Sequence, residues 1–324
     1  MPCAAPPGIA HASGRTHGRF RGHLDAILYR LRGRHAGDIA DRERRHGPAT
    51  GRAAGAGLGL RSGNLALARF TIAGDAAPAV ELPRAVTVLF DTSASQAAHF
   101  SEKVAKLTAL VERLGAVHGA SLPVRVWCFD QEAALMFRGA AGEFSRKHVE
   151  AIMHRRALGA SDLGRALASI RTDMQPGEQV VIIGDGVATA GSTEGGALGL
   201  AVQRLRKAGV TRIDAVLIGG NHDVATMTRL ASAGAVVDGS LAMTEIVAKL
   251  GRPAFSGIRV TVPGSRWTWP ERLDGVQPGD TVLVYADLPE DQPLQVELDG
   301  GLPSPQMATR TIERPLLERA WVPR

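Results

Sequence analysis

From residue 83 onward the chain alternates between two hydrophobic periods. Residues 85–90 are a short β-branched apolar run, of the kind carried by a strand buried on both faces. Phe100, Val104, Leu107, Val111 and Leu114 then recur at helical spacing, with Glu102, Lys103, Lys106, Glu112 and Arg113 between them. That is one apolar stripe on a surface helix. The alternation continues: strands are predicted at 124–129, 133–137 (an edge), 179–184, 213–219 and 236–237, and helices at 145–155, 162–174, 196–208, 224–233 and 244–250. Strands alternating with crossover helices predict an α/β fold with a doubly wound, mostly parallel, Rossmann-like sheet.

After Gly251 the grammar changes. Short strands are predicted at 258–262, 281–285 and 294–298, separated by Pro, Gly and Asp turn residues, with a helical pattern only at 315–320. This reads as a small β-rich domain over 251–324. Trp267 and Trp269 lie two apart within it, on one face of any strand there, and are expected to pack in a core or interface.

Composition adds little until it is placed along the chain. The 324 residues carry a formal charge of +6, which invites a nucleic-acid reading. Residues 1–62, however, hold 11 Arg, no Lys and 4 acidic residues, a net +7, so the rest of the chain carries −1. Only residues 23–31 of this leader have a helical period, and Phe20 and Tyr29 are its only aromatics. It is expected to be a basic, disordered tail, with a phosphate-binding arm as the alternative and no nucleic acid expected as partner. The division is therefore leader 1–62, α/β domain 63–250 and β-rich domain 251–324. Two cysteines, Cys3 and Cys128, cannot build a disulfide framework or a four-ligand zinc site. No run of 18 apolar residues spans a membrane, and the first 15 residues lack the order of a secretory signal, so a cytoplasmic location is the default.

Three segments place oxygen-bearing side chains where parallel strands end, the edge at which such sheets collect ligands. They are Asp91-Thr92-Ser93-Ala94-Ser95, Gly159-Ala160-Ser161-Asp162 and Gly184-Asp185-Gly186. A loop carboxylate followed by hydroxyls two and four residues on projects Asp91, Ser93 and Ser95 toward one point. With Ser161 and Asp185 the set is all hard oxygen and holds two formal negative charges. That suits Mg²⁺, with Mn²⁺ or Ca²⁺ as substitutes, and not zinc. Taken singly, each serine reads as a helix cap.

These residues resemble the metal-ion-dependent adhesion site of von Willebrand factor A domains: D-x-S-x-S, a distant Thr, then a distant Asp. Asp91, Ser93 and Ser95 match the first element. Ser161 stands where the family usually has Thr, and Gly184 replaces the Ser of its S-D-G turn beside Asp185. The resemblance covers residues 85–250. It implies adhesion rather than catalysis: Ser93, Ser95 and Ser161 holding the ion directly or through one water, Asp91 and Asp185 holding its waters, and a partner protein supplying Glu or Asp. The wider arrangement resembles bacterial proteins that join a vault/inter-alpha-trypsin domain to this A domain. Residues 62–72 are similar to the end of that upstream region and residues 269–296 to the β-rich segment that follows. Residues 1–61 do not resemble the expected β domain and residues 315–324 stop abruptly, so both ends are expected to be truncated or out of register.

A hydrolase competes with this reading. Gly220-Asn221-His222-Asp223 matches the G-N-H-D box of calcineurin-like metallophosphoesterases, which bind two metals. Their upstream D-x-H is missing, since Asp91 is followed by Thr92 and Ser93, and no His follows His222.

Overall fold

The computed structural model describes residues 56–73, 83–191, 195–299, 302–313 and residue 317. A hairpin comes first: strands β1 (Ala56–Ser62) and β2 (Leu65–Thr71) pair antiparallel around Gly63, whose φ of +57° is open to a residue without Cβ. The α/β unit follows. Its order is strand β3 (Ala85–Asp91), helix α1 (Phe100–His118), strands β4 (Pro123–Phe129) and β5 (Ala133–Ala140), and helices α2 (Arg146–Arg155) and α3 (Leu163–Arg171). Strand β6 (Glu178–Gly184), helix α4 (Gly195–Lys207), strand β7 (Val210–Leu217), helix α5 (Val224–Leu230), strand β8 (Val236–Asp238) and helix α6 (Met243–Leu250) complete it.

The sheet order is β5-β4-β3-β6-β7-β8, parallel except for β5, which returns antiparallel along the edge. Helices cover both faces, so every residue of β3 and β6 is buried, which is why these strands read as mainly apolar runs rather than as an alternation. The α1 stripe (Val104, Leu107, Val111, Leu114) packs with Ile152, Ile246 and Leu250 on one face. Leu163, Leu167, Ile170, Leu205 and Leu230 cover the other. Asp162 and Asp223 start α3 and α5 by accepting the backbone N–H three residues on. The predicted doubly wound α/β architecture is the observed one, with boundaries shifted by a few residues; β7, for example, begins at Val210 rather than 213.

The remaining strands are β9 (Ile258–Thr261), β10 (Trp267–Trp269), β11 (Arg272–Leu273), β12 (Thr281–Asp287), β13 (Glu297–Leu298) and β14 (Gln306–Thr311). A five-stranded sheet, β10-β12-β2-β1-β14, packs with the small β11-β9-β13 sheet over Phe70, Val260, Val282, Val284 and Leu294. The domain boundaries read from the sequence are corrected here. Residues 56–62, assigned to the leader, form β1, and residues 65–71, assigned to the α/β domain, form β2. Both belong to the β unit, so the α/β unit is inserted between β2 and β9. Period alone missed this because the two partners of β2, β1 and β12, lie on opposite sides of the insertion. Arg61, counted with the leader's charge, is fixed: its guanidinium donates to the carbonyls of Leu288, Pro289, Glu290 and Gln292.

The strand expected at 294–298 shrinks to Glu297–Leu298, and β14 was not expected at all. Trp269 tilts onto Tyr285 at 6.0 Å within a small cluster with Leu67 and Leu283, while Trp267 is 40% exposed on the edge strand. The helical segment at 23–31 lies outside the described residues, as does the one at 315–320 except for Leu317. Gln277, buried, joins the two units by donating to the carbonyls of Lys249 and Arg252 at the end of α6. No helix among the described residues is long and apolar enough to cross a membrane.

Candidate metal centre

Strand order reverses between β3 and β6: the chain leaves β3 toward β4 on one side, and β6 lies on the other. The C-terminal ends of these two strands therefore flank a crevice. Asp91 is the last residue of β3. Its Oδ1 accepts the Ser93 N–H at 2.8 Å, a local turn that curls the loop back over the strand end. Ser93 Oγ then lies 3.1 Å from Ser95 Oγ. Asp185 follows β6 and turns in the same way, its Oδ1 accepting from Val187 N at 2.9 Å. Gln96 bridges the two loops, donating to Asp185 Oδ2 at 2.8 Å and to Ser95 Oγ at 3.3 Å.

Ser161 arrives from the loop between α2 and α3. Backbone bonds stitch this loop to the first, Ala94 N to Gly159 O and Leu158 N to Thr92 O, each at 2.9 Å. Thr189 stitches it to the third, its hydroxyl accepting from Ser161 N at 2.8 Å while its own N–H donates to Ser161 O at 3.0 Å. Arg155, the last residue of α2, ties the first loop to the β4–β5 turn: Nε donates to Thr92 Oγ1 at 3.1 Å, and Nη2 to Asp130 Oδ2 and Glu132 O, both at 2.8 Å. All five side chains singled out in the sequence meet in this crevice, and four of them are buried: Asp91 1%, Ser93 1%, Ser161 1% and Asp185 3% exposed. Ser95 sits at the exposed mouth.

Helix capping does not account for the serines. Ser93 makes no side-chain cap bond to the turn that follows it, and α3 is capped by Asp162 rather than Ser161. The Ser161 hydroxyl is close enough to Asp91 to favour its charged form, yet it falls outside hydrogen-bond geometry to any described group.

Burial pushes the Asp91 carboxyl up to about 6; hydrogen bonds from Ser93 oppose the rise and the Asp185 charge adds to it. Burial likewise lowers the Lys103 ammonium, against the pull of Asp185 and Asp91. Two carboxylates and one amine thus share a nearly dry crevice, a site short of positive charge. Gly184 explains a departure from the adhesion-site pattern. A Cβ there would sit 2.8 Å from Asp91 Cβ and 3.0 Å from its Oδ2, so the serine that usually precedes the aspartate does not fit this crevice.

Gln96 and Arg155 were not anticipated. Neither lies in a recognisable spacing; a glutamine one residue past the motif and an arginine ending α2 acquire their roles only when the loops close. The Gly220-Asn221-His222-Asp223 box lies in the β7–α5 loop. There Asp223 is engaged as a cap, accepting from Thr226 N and Thr226 Oγ1 at 2.9 and 2.7 Å. No group of three His, Cys, Asp or Glu side chains among the described residues is placed to hold a metal. Cys128 is buried beside β3, and desolvation pushes its thiol up to about 12.

No family model matches the chain, and no curated protein matches it. Among solved structures, proximal thread matrix protein 1 from the mussel byssus aligns at 19% identity with a TM-score of 0.43, over 57% of this chain and 51% of that one. A structure of the same protein with a zinc-occupied MIDAS motif aligns at 18% identity, TM-score 0.42, over 57% and 51%. The ArnB paralog VWA2 from Sulfolobus acidocaldarius aligns at 14% identity, TM-score 0.37, over 79% and 73%. The chain spans about half the length of the mussel protein.

Proposed function

We propose that this chain carries a von Willebrand A-type, Mg²⁺-dependent protein-binding module that acts by binding, without a catalytic step. The observation that carries the reading is the convergence of three hydroxyls, Ser93, Ser95 and Ser161, on two carboxylates, Asp91 and Asp185, with four of the five side chains buried. Ser93, Ser95 and Ser161 offer neutral oxygens, and Asp91 and Asp185 the two formal charges; an all-oxygen set of this kind fits Mg²⁺. A bound Mg²⁺ supplies a Lewis-acidic position for a Glu or Asp of a partner protein. The stitched loops hold the oxygens in place beforehand, so little ordering entropy is lost on binding.

A thermal-unfolding titration with MgCl₂ tests the proposal. The wild-type midpoint is expected to rise with Mg²⁺, and that of Asp91→Ala to stay level while the sheet remains folded by circular dichroism. Equal stabilisation of both proteins would overturn the metal site. Turnover of p-nitrophenyl phosphate with Mn²⁺ would overturn the non-catalytic reading.

A further inference from the structure

A cleft of about 410 Å³ opens from the mouth of the crevice at Ser95 and runs between α1 and the ends of β7 and β8. Its floor is backbone and apolar side chain, Leu217 to Gly220, and its α1 wall carries Lys103 and Lys106. An ammonium has three N–H donors. Lys103, 7% exposed, has one hydrogen-bond acceptor among the described residues, Gln96 O at 3.1 Å; Lys106 has one, Gly239 O at 2.5 Å. Two acids also line the rim, and neither is hydrogen-bonded to these amines among the described residues: Glu102 meets His99 at 3.1 Å, and Asp238 accepts from Ser240 N at 2.8 Å. The cleft therefore presents two amines with spare donors, in one cavity with a residue of the metal set. A buried amine gains most from an acceptor that carries charge.

We infer that the partner segment is acidic in two places, one carboxylate at the metal centre and a second in this cleft on Lys103 and Lys106. The inference rests on the metal-dependent reading above and adds the chemistry of the partner. Ser95 of the metal set lines the same cavity as Lys103 and Lys106, so the two acids lie close in the partner sequence.

The experiment uses fluorescein-labelled pentapeptides, Ala-Glu-Ala-Ala-Ala and three versions with a second Glu one, two or three residues on. Anisotropy is read with 5 mM MgCl₂ or with EDTA, on the full chain and its Lys106→Met and Lys103→Met variants. Lys106 is exposed, so its variant tests the idea even where Lys103→Met fails to fold. At one spacing the second Glu is expected to tighten binding about tenfold, and the gain is expected to vanish in Lys106→Met while the single-Glu peptide still binds. Mg²⁺-dependent binding of the single-Glu peptide with no gain from any second Glu, or a gain that survives both variants, would overturn the inference alone. Absence of Mg²⁺-dependent binding for every peptide would overturn the metal-dependent reading and this inference together.

Discussion

Asp91→Asn is the sharpest test of the crevice. Burial raises the carboxyl from 3.8 to about 6, so the native state holds its proton more tightly than the unfolded chain does. Stability from this group is therefore present below pH 3.8 and is lost as pH rises to about 6. At about 1.4 kcal/mol per unit, the ionised carboxylate costs the metal-free protein about 3 kcal/mol above pH 6. Asparagine keeps the Oδ1 acceptor that Ser93 N–H uses and removes the charge. In EDTA at pH 8 the variant is expected to melt higher than wild type, by roughly 6–12 °C for a unit of this size. Toward pH 4 the gap closes, because Asp91 is then largely neutral too. Mg²⁺ reverses the order only well above saturation: a hundredfold excess over its Kd adds about 2.7 kcal/mol to wild type and closes the gap, and a thousandfold excess adds about 4.1 kcal/mol and reverses it, while a site that has lost a charge gains little. The assay is differential scanning fluorimetry across pH, with and without Mg²⁺. A variant less stable than wild type in EDTA at pH 8, or a gap that ignores pH, would refute the electrostatic account. Equal Mg²⁺ stabilisation of both would refute the metal account.

Gly184→Ser restores the residue usual in the adhesion-site pattern, yet its Cβ would press on Asp91 at 2.8 Å. It is expected to cost about 1–3 kcal/mol by chemical denaturation and to weaken Mg²⁺ binding. Arg155→Ala unties Thr92, Asp130 and the Glu132 carbonyl together, leaving Asp130 without its ion-pair partner. Mg²⁺ affinity by calorimetry is expected to fall about tenfold, with partial recovery in Arg155→Lys, which keeps the charge and loses the fork; unchanged affinity in the alanine variant would show that this tie does not position the Asp91–Ser95 loop.

The α/β unit was readable in the sequence because its strands are short apolar runs and its helices carry a 3.6-residue stripe, patterns that need no knowledge of distant partners. The five oxygen donors were readable for a related reason: each follows a strand or precedes a helix, and in a doubly wound sheet those positions share one edge. The β unit was not readable in the same way. Its five-stranded sheet joins β2 to β1 and β12, across the whole inserted α/β unit, and a strand of seven residues carries no mark of a partner more than 200 positions away. Hence β1 was taken for leader and β14 for loop.

What the sequence alone determined is the kind of atoms at the site, hard oxygens with two charges, and the layer order that brings them to one edge. The tertiary structure decided their state. Burial, a property of packing rather than composition, raises Asp91, lowers Lys103, sets the Ser161 hydroxyl against the Asp91 carboxyl and excludes a Cβ at 184. It also made structural a charge that composition had assigned to the leader, since Arg61 spends its donors on four carbonyls that exist together only in the fold.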